Sequence, residues 1–434
     1  MMTRAAWRRE LNGWKRLCGC VAATLFLLAF CGSAPAADGK LAEDPAALAA
    51  AKAWGGKLTF DADGHLNGVD LIDVARGDAD LAQLKGLPYV ETLKLWGAGF
   101  TNAGLPSLKV LPKLHDLTLE NTDITNDGLD SIKELKTVKS LNLRRSSFVN
   151  DEGLAKLKDC TNLEQLHLLY NNFSDDGLKN LKNLTNLKVL DLRGCGLISD
   201  DGLEHLLGLS NLEQIKLRNF YVTNDGLKKL AKLKKIKKIN IEDTQTVDDD
   251  GLAYLEAFPD LEELLVIRVD FTDAGLAHLK TLTKIKTLQL RATQVTGPGL
   301  VNLIDMKNLR VLNLNECPMT DEGLAFLKGL TNLEKLELWN TKITDAGLVN
   351  LKGLAKLLSL NLESTAVTDA GVANLAGLTT LTDLKLKGTM VTDAGLNSLK
   401  GLSNLKTLDL SGTAVTAGGI KKLTESLPKT KILF

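Results

Sequence analysis

Leucine recurs at fixed positions along most of this chain, and the pattern is clearest between Leu333 and Leu354. That stretch reads Leu-x-x-Leu-x-Leu, then Thr-x-Ile-Thr-Asp-Ala-Gly-Leu, then two more leucines at intervals of three residues. Leu336 and Leu338 alternate with polar positions, which predicts a half-buried β-strand. The spacing of three that begins at Leu348 predicts a short α- or 3₁₀-helix whose apolar stripe faces inward.

The glycine of this pattern occurs once in each unit. Successive glycines are separated by 24 residues or, at three places, by 25. Its fourteen occurrences are Gly104, Gly128, Gly153, Gly177, Gly202, Gly226, Gly251, Gly275, Gly299, Gly323, Gly347, Gly371, Gly395 and Gly419. A single unit leaves its apolar face open, so the units must stack, and strands that return in one direction form a parallel sheet. Because helices need more room than strands, the predicted α/β fold is a curved, horseshoe-shaped solenoid. The sheet is expected on its concave side, along an arc of roughly 60 Å, with short helices on its convex side.

Polar positions of the unit also recur. Thr344 and Asp345 stand where a helix N-cap is expected, because a short oxygen-bearing side chain there can accept from free backbone N–H groups. Gly347 recurs where a side chain would crowd the bend between strand and helix. The position of Thr341 is filled mostly by small hydrogen-bonding residues, which can satisfy buried loop backbone. By the same spacing, Phe220 occupies this position in a middle unit and departs from the rule.

The repeats resemble those of bacterial secreted leucine-rich-repeat proteins that carry the Thr-Asp-x-Gly-Leu signature. They resemble more distantly the ribonuclease-inhibitor-like repeats and the cysteine-containing repeats of F-box substrate receptors. The resemblance covers the chain from Val69 to the C-terminus. It implies a leucine-rich-repeat fold and a scaffold that binds protein or glycan.

The N-terminal residues have the features of a leader. Five basic residues precede an apolar run from Leu17 to Cys31, and Ala34-Pro35-Ala36 supplies a small-x-small cleavage pattern. Residues 1–36 are therefore predicted to be a secretory signal peptide. The run is too short to span a bilayer comfortably, so no stable membrane span is expected after cleavage. The prediction is an exported protein that is periplasmic, at the cell surface or secreted, and the alternative is a chain anchored by an uncleaved N-terminal segment.

The ends of the chain depart from the repeat and are predicted to cap it. Residues 37–91 form an N-terminal cap with a degenerate first repeat, residues 92–419 the leucine-rich repeats, and residues 420–434 a C-terminal cap. Within the first cap, Asp44-Pro45 predicts the start of a helix. Asp61-Ala62-Asp63-Gly64 predicts a hairpin turn between two short strands.

Charge and cysteine content narrow the function classes. The chain has 53 Lys and Arg and 53 Asp and Glu. Removal of the leader takes away five basic residues and one acid. The remaining chain has 48 basic and 52 acidic residues and a formal net charge of −4. Such a balance excludes a general nucleic-acid binder. Of the three cysteines beyond the leader, Cys160, Cys195 and Cys317, the last two lie ~24 Å apart by strand spacing, so all three are expected to be buried free thiols.

No catalytic, cofactor or metal motif stands out from the repeat, so the chain is predicted not to be an enzyme and to need no cofactor. The run from Asp61 to Gly64 lacks the later acidic ligand of a calcium loop. The acidic run from Asp248 to Asp250 is expected to supply a helix cap. His205 and His278 are expected to be ordinary surface residues.

The exposed strand positions vary against a regular background, and binding residues on such folds lie there. The predicted site, here called the concave strip, contains basic, aromatic and aliphatic side chains that suit an interface. Its members are Arg144, Arg145, His167, Tyr170, Arg193, Lys216, Arg218, Ile267, Arg268 and Arg291, with Trp96 and Trp339 as outlying anchors. The leading hypothesis is a protein partner, and the alternatives are a glycan or anionic cell-envelope polymer, or a role as substrate-receptor subunit of a larger complex. A solvated strip in which Asp191, Glu242 and Asp243 neutralise the arginines also fits the sequence.

Overall fold

Seventeen short strands form one open sheet in the computed structural model of the chain, which describes residues 41–244 and 246–434. The strands are β1 (Lys57–Phe60), β2 (Leu66–Asp70), β3 (Thr92–Trp96), β4 (Asp116–Glu120), β5 (Ser140–Asn142), β6 (Gln165–His167), β7 (Val189–Asp191), β8 (Gln214–Leu217), β9 (Lys238–Glu242), β10 (Glu263–Ile267), β11 (Thr287–Gln289), β12 (Val311–Asn313), β13 (Lys335–Glu337), β14 (Ser359–Asn361), β15 (Asp383–Lys385), β16 (Thr407–Asp409) and β17 (Lys431–Leu433). The predicted signal peptide, residues 1–36, lies outside the described residues.

The strands follow one another across the sheet in chain order. β1 and β2 form the antiparallel hairpin predicted around the Asp61 turn, and every later strand pairs in parallel with its predecessor. Leu336 aligns with Leu312 on one side and with Leu360 on the other. All three side chains are completely buried. The predicted leucine-rich-repeat solenoid, with its parallel sheet on the concave side, is confirmed.

Short helices connect the strands on the convex side. The α-helices are α1 (Pro45–Ala53), α2 (Asp78–Leu81), α3 (Leu129–Ile132), α4 (Asp151–Lys156), α5 (Asp175–Leu178), α6 (Asp200–Glu204), α7 (Asn224–Leu230), α8 (Asp249–Leu252), α9 (Asp321–Leu324), α10 (Asp345–Leu348), α11 (Asp369–Val372) and α12 (Ala417–Ser426). The 3₁₀-helices are Ala82–Leu84, Leu105–Val110, Asn126–Gly128, Lys179–Leu181, His205–Gly208, Ala253–Ala257, Gly275–Leu279, Pro298–Leu303, Ala325–Gly329, Val349–Leu351, Ala373–Leu375 and Gly395–Leu399. In the described part of the chain, no helix has the length and apolar content needed to cross a bilayer.

The signature Thr and Asp have different roles, and only the first is the predicted cap. Thr344 caps α10 by accepting from the N–H of Ala346. The carboxylate of Asp345 instead reaches the next turn, where it accepts from the N–H of Thr368 at 2.8 Å and from its hydroxyl at 2.6 Å. We call this contact the carboxylate link. It recurs at Asp78–Thr101, Asp151–Ser174, Asp175–Ser199, Asp200–Thr223, Asp249–Thr272, Asp321–Thr344, Asp369–Thr392 and Asp393–Thr416.

The signature glycine is required by this link. A Cβ built on Gly347 would lie 2.4 Å from Asp321 Oδ1 and 2.9 Å from Leu324 Cδ1. The backbone of Gly347 is not in the left-handed region. Crowding, as predicted, is therefore the reason for glycine.

The residue at the Thr341 position holds the loop in most units. Thr341 Oγ1 donates to the carbonyl of Leu338 at 2.7 Å. The prediction that Phe220 occupies this position is wrong, because Phe220 is 63% exposed and Asn219 is completely buried in its place. The amide of Asn219 donates to the carbonyls of Leu192 and Cys195. In this turn the buried residue of the loop comes one position earlier in the sequence than predicted, and the glycine spacing does not reveal this shift.

Candidate functional site

Asp191 lies in the concave face between His167 of β6 and Lys216 of β8. The parallel register sets the three side chains in one row, with His167 Nδ1 at 4.0 Å and Lys216 Nζ at 3.6 Å from Asp191 Oδ2. Arg193 donates to both carboxylate oxygens, at 3.0 and 2.9 Å. Burial opposes the ionisation of Asp191, but hydrogen bonds from His167 and Arg193 outweigh it and lower the pKa of Asp191 to about 2. The carboxylate is charged and fully engaged at neutral pH.

Other arginines of the concave strip also lie against acids. Arg193 reaches a second carboxylate, Glu242, at 3.0 Å. Arg218 and Arg268 share Asp243, and these contacts lower the pKa of Asp243, with the hydrogen bond from Arg268 as the largest cause. The remaining pairs are Arg144 with Glu120 and Arg291 with Glu316. Most positive charge of the strip is therefore neutralised within the chain.

Tyr170 lies in a cluster of arginines rather than in an ion pair. Its ring centroid is 5.7 Å from the guanidinium of Arg144 and 5.4 Å from that of Arg145, and Arg218 donates to its hydroxyl at 3.2 Å. Gly194 in the next turn makes room for the ring, because a Cβ there would lie 2.4 Å from Tyr170 Cδ1. Within the described residues, Arg145 has no ion-pair partner. The cluster therefore retains an unneutralised positive charge at Arg145.

Arg145 and Tyr170 occupy a backbone position that favours glycine. Both have φ of 56°, and Arg268 has φ of 53° at the same point of its own turn. The equivalent position elsewhere is held by Gly97, Asn121, Gly194, Asp243, Ala292, Glu316, Asn340, Ser364, Gly388 and Gly412. The left-handed conformation costs a residue with a Cβ roughly 1–2 kcal/mol. Arg145, Tyr170 and Arg268 therefore occupy this position at a conformational cost that glycine would avoid.

The outlying anchors of the predicted site contact or adjoin the strip. Trp96 ends β3 and aligns with Glu120. The guanidinium of Arg291 lies 5.5 Å from the ring centroid of Trp339. Ile267 is half-buried at the end of β10. The twelve predicted residues thus lie along one face, but they do not form one continuous group. The charged residues around Asp191 are one group, the arginines around Tyr170 form the tyrosine cluster, and Trp96 and Trp339 lie towards the ends of the strip.

Sequence reasoning missed four large apolar side chains at the carboxyl edge of the sheet. Phe148, Leu197, Phe220 and Tyr221 are 57 to 63% exposed. Phe148 and Leu197 lie in loops that are one residue longer than the usual unit. The three intervals of 25 residues were the available signal for such loops, but the spacing alone does not show which side chain is turned outward.

The other candidate residues have structural roles. Asp61 accepts from the backbone N–H groups of Asp63 and His65, at 3.0 and 2.9 Å, and Asp248 caps α8. Burial raises the pKa of the Cys195 thiol to about 12, which does not suit a nucleophile. In the described part of the chain, no three His, Cys, Asp or Glu side chains are arranged to hold a metal ion.

Comparison with known families agrees with this architecture. A family model described as a leucine-rich repeat region matches residues 172–420. The chain belongs to the leucine-rich-repeat family. A second leucine-rich-repeat model matches residues 159–182, and no curated protein matches the chain.

Solved leucine-rich-repeat structures resemble this chain at low sequence identity. An internalin from Listeria monocytogenes is 22% identical, with a TM-score of 0.56 over 78% of this chain and 90% of that chain. A leucine-rich-repeat protein of Leptospira interrogans is 20% identical, with a TM-score of 0.46 over 81% of this chain and 92% of that chain. A plant peptide hormone receptor in complex with RGF2 is 16% identical, with a TM-score of 0.44 over 87% of this chain and 67% of that chain. At this identity the internalin likeness shows the fold alone.

Proposed function

We propose that this leucine-rich-repeat chain is a non-catalytic, exported recognition scaffold that binds a protein partner through its concave face. A solenoid offers an extended surface whose exposed side chains can vary without disturbing the buried leucines. The aromatic and arginine side chains of the concave strip are the types that dominate protein interfaces. Export is supported by the leader pattern of residues 1–36, which lie outside the described residues.

The pairing of the concave arginines with acids carries the choice of a protein partner. An anionic polymer needs unneutralised positive charge along its path, because its affinity comes from ion pairs that salt screens. Arg193, Arg218 and Arg268 already contact carboxylates of their own chain. A protein surface with both signs of charge, and apolar groups for Trp96 and Trp339, complements this face better.

The test compares retention of envelope material from the source organism on the immobilised full chain and on two variants. The concave variant changes Trp96, Tyr170 and Trp339 to Ser, and the control variant changes His205 and His278, on the helical side, to Ser. We expect the wild type and the control to retain protease-sensitive material that raised salt releases only weakly. The concave variant should retain less than a tenth as much, a loss of about 1.4 kcal/mol or more.

Three outcomes would contradict the proposal. Retained material that resists protease but is released by moderate salt would identify an anionic polymer. Equal retention by the concave variant would move the contact elsewhere on the chain. Turnover of any retained component would show an enzyme rather than a scaffold.

A further inference from the structure

Four middle loops form β-turns at the carboxyl edge of the sheet. In each loop, the N–H of the residue after the turn donates to the carbonyl three residues earlier. These bonds are Val149 to Ser146 at 2.9 Å, Ile198 to Cys195 at 3.2 Å, Val222 to Asn219 at 3.1 Å, and Val247 to Thr244 at 3.3 Å. Both ends of each turn are buried, and the central residues of the first three turns are exposed.

Three of these turns present apolar side chains to solvent. Phe148 and Leu197 are 57% exposed, and Phe220 and Tyr221 are 63% exposed. We call these four residues the apolar edge. Taking about 200 Å² for a complete aromatic side chain, its three aromatics alone expose roughly 350 Å². Leu197, Phe220 and Tyr221 lie on neighbouring turns, and grouped exposed apolar side chains often mark a functional surface.

The backbone beneath this edge is fixed. Leu197 forms a parallel bridge to Ser174, and Tyr221 forms the equivalent bridge to Ser199 one turn later. Both serines are also held by carboxylate links to the preceding turn. Leu197 and Tyr221 therefore stand at the same position of neighbouring turns, about one strand spacing apart. Their arrangement does not depend on a mobile loop.

The tyrosine cluster borders the apolar edge. Tyr170 lies over Gly194, in the loop that continues to Leu197. Arg218, which donates to the Tyr170 hydroxyl, is two residues from Phe220. The unneutralised charge of Arg145 thus lies beside an apolar surface, a combination that favours a carboxylate flanked by apolar groups.

We propose that the apolar edge and Arg145 together bind a segment of a different protein, in which an acidic side chain adjoins large apolar side chains. This inference rests on the proposed recognition function and extends its site from the concave face onto the edge. A two-fold contact between copies of this chain that is centred on Arg145 would place two like charges against each other. Charge complementarity therefore favours a distinct partner.

The test uses a displayed library of random dodecapeptides, selected on the full chain, with affinities then measured on the synthesised peptides. One variant combines Leu197→Ala with Tyr221→Ala, and a second carries Arg145→Asn. The matched control is Met390→Ala, because Met390 is 56% exposed at the equivalent loop position of a later turn. Melting temperatures verify that each variant folds.

We expect selected peptides to carry Asp or Glu beside Leu, Phe or Trp. Their Kd should rise at least about tenfold in both edge variants, as for central interface side chains, and less than about twofold in the control. Failure to enrich any peptide, enrichment without acids, or equal affinity for the edge variants would overturn the edge site. If peptide binding is lost only in the concave variant, the proposed edge site would be contradicted but the recognition function would stand. A dimer that the double variant dissociates would identify a second copy as the occupant and also overturn the proposal.

Discussion

The turns between Asp321 and Thr416 and those between Arg144 and Arg268 share one scaffold but differ at the carboxyl edge of the sheet. In the later turns, small residues occupy the left-handed position and a threonine hydroxyl holds the loop each time. In the middle turns, the left-handed position carries side chains such as Tyr170. Their loop-holding position changes from one turn to the next, through Ser146, Asn171, Cys195, Asn219, Thr244 and Val269.

The carboxylate link has the same geometry in the two regions. The link from Asp175 to Ser199 has contacts of 2.8 and 2.6 Å, the same as the link from Asp345 to Thr368. The middle turns therefore keep this link, while both their exposed side chains and their buried loop-holding position vary.

A different kind of irregularity separates the regions. Gly297 stands where other turns have the linking Asp or an Asn, and its φ of 134° excludes an ordinary side chain. Thr320 instead donates through its backbone N–H to the carbonyl of Thr296 at 2.9 Å. Pro318 has no backbone N–H to donate to the loop of the preceding turn. It lines an open cavity of about 350 Å³ beside Lys342. The junction thus lacks two of the contacts that join other turns.

The largest expected effect tests whether the signature glycine is equally crowded in both regions. Gly202→Ala and Gly347→Ala would place Cβ atoms 2.2 and 2.4 Å from linked carboxylates. We expect each to lower the free energy of unfolding by about 3 kcal/mol, since the carboxylate cannot move without losing its hydrogen bonds. Gly377→Ala is the control, because no atom lies within 4 Å of its Cβ position. Chemical denaturation measures all three, and a mild effect at Gly202 alone would show that the middle scaffold is looser.

The next effect is specific to the middle region and appears in acid. The pKa of Asp191 is about 2 in the folded chain, below an unfolded value of about 3.9. Its stabilisation is therefore complete above about pH 4 and is lost as pH falls towards 2, with a magnitude of about 2 kcal/mol. Asp191→Asn should remove this acid-dependent component and lower stability at neutral pH, because Lys216 loses its carboxylate partner and Arg193 keeps only Glu242. Unfolding measured from pH 6 to pH 2 checks this, and an unchanged acid profile in the variant would contradict it.

A smaller effect compares the carboxylate links directly. Ser199→Ala and Thr368→Ala each remove a hydroxyl that caps a helix and donates to the preceding turn. We expect each to cost about 1 kcal/mol, as loss of an N-cap does. Equal costs would support one scaffold throughout. A difference of more than about 1 kcal/mol would show that the regions differ below the surface.

Much of the fold could be predicted because each feature depends on residues close in sequence. The alternation at Leu336 and Leu338 and the crowding at Gly347 are properties of a single unit. The role of Asp345 could not be read in this way, because its partner lies 23 residues further along in the next turn. The cap position predicted for Asp345 was therefore wrong, although the cap at Thr344 was confirmed.

The candidate site was less predictable, because its contacts cross two turns. Arg193 meets Glu242 and Arg218 meets the Tyr170 hydroxyl across separations of 49 and 48 residues. Comparing the same position in successive units identified the exposed side chains but not the partners that they contact. The outward direction of Phe220 was hidden for a related reason, since the loop register shifts by one residue without changing the glycine interval.

The most direct test of the account is a reciprocal exchange at the left-handed position. Arg145→Asn gives a middle turn the residue of Asn340, and Asn340→Arg does the reverse in a regular turn. Melting temperature and affinity for a selected dodecapeptide are measured on both. We predict that Arg145→Asn leaves the melting temperature unchanged or higher while its Kd rises about tenfold, whereas Asn340→Arg lowers the melting temperature slightly and keeps the affinity. Loss of stability without loss of affinity in Arg145→Asn would contradict the claim that the irregular turns are kept for recognition.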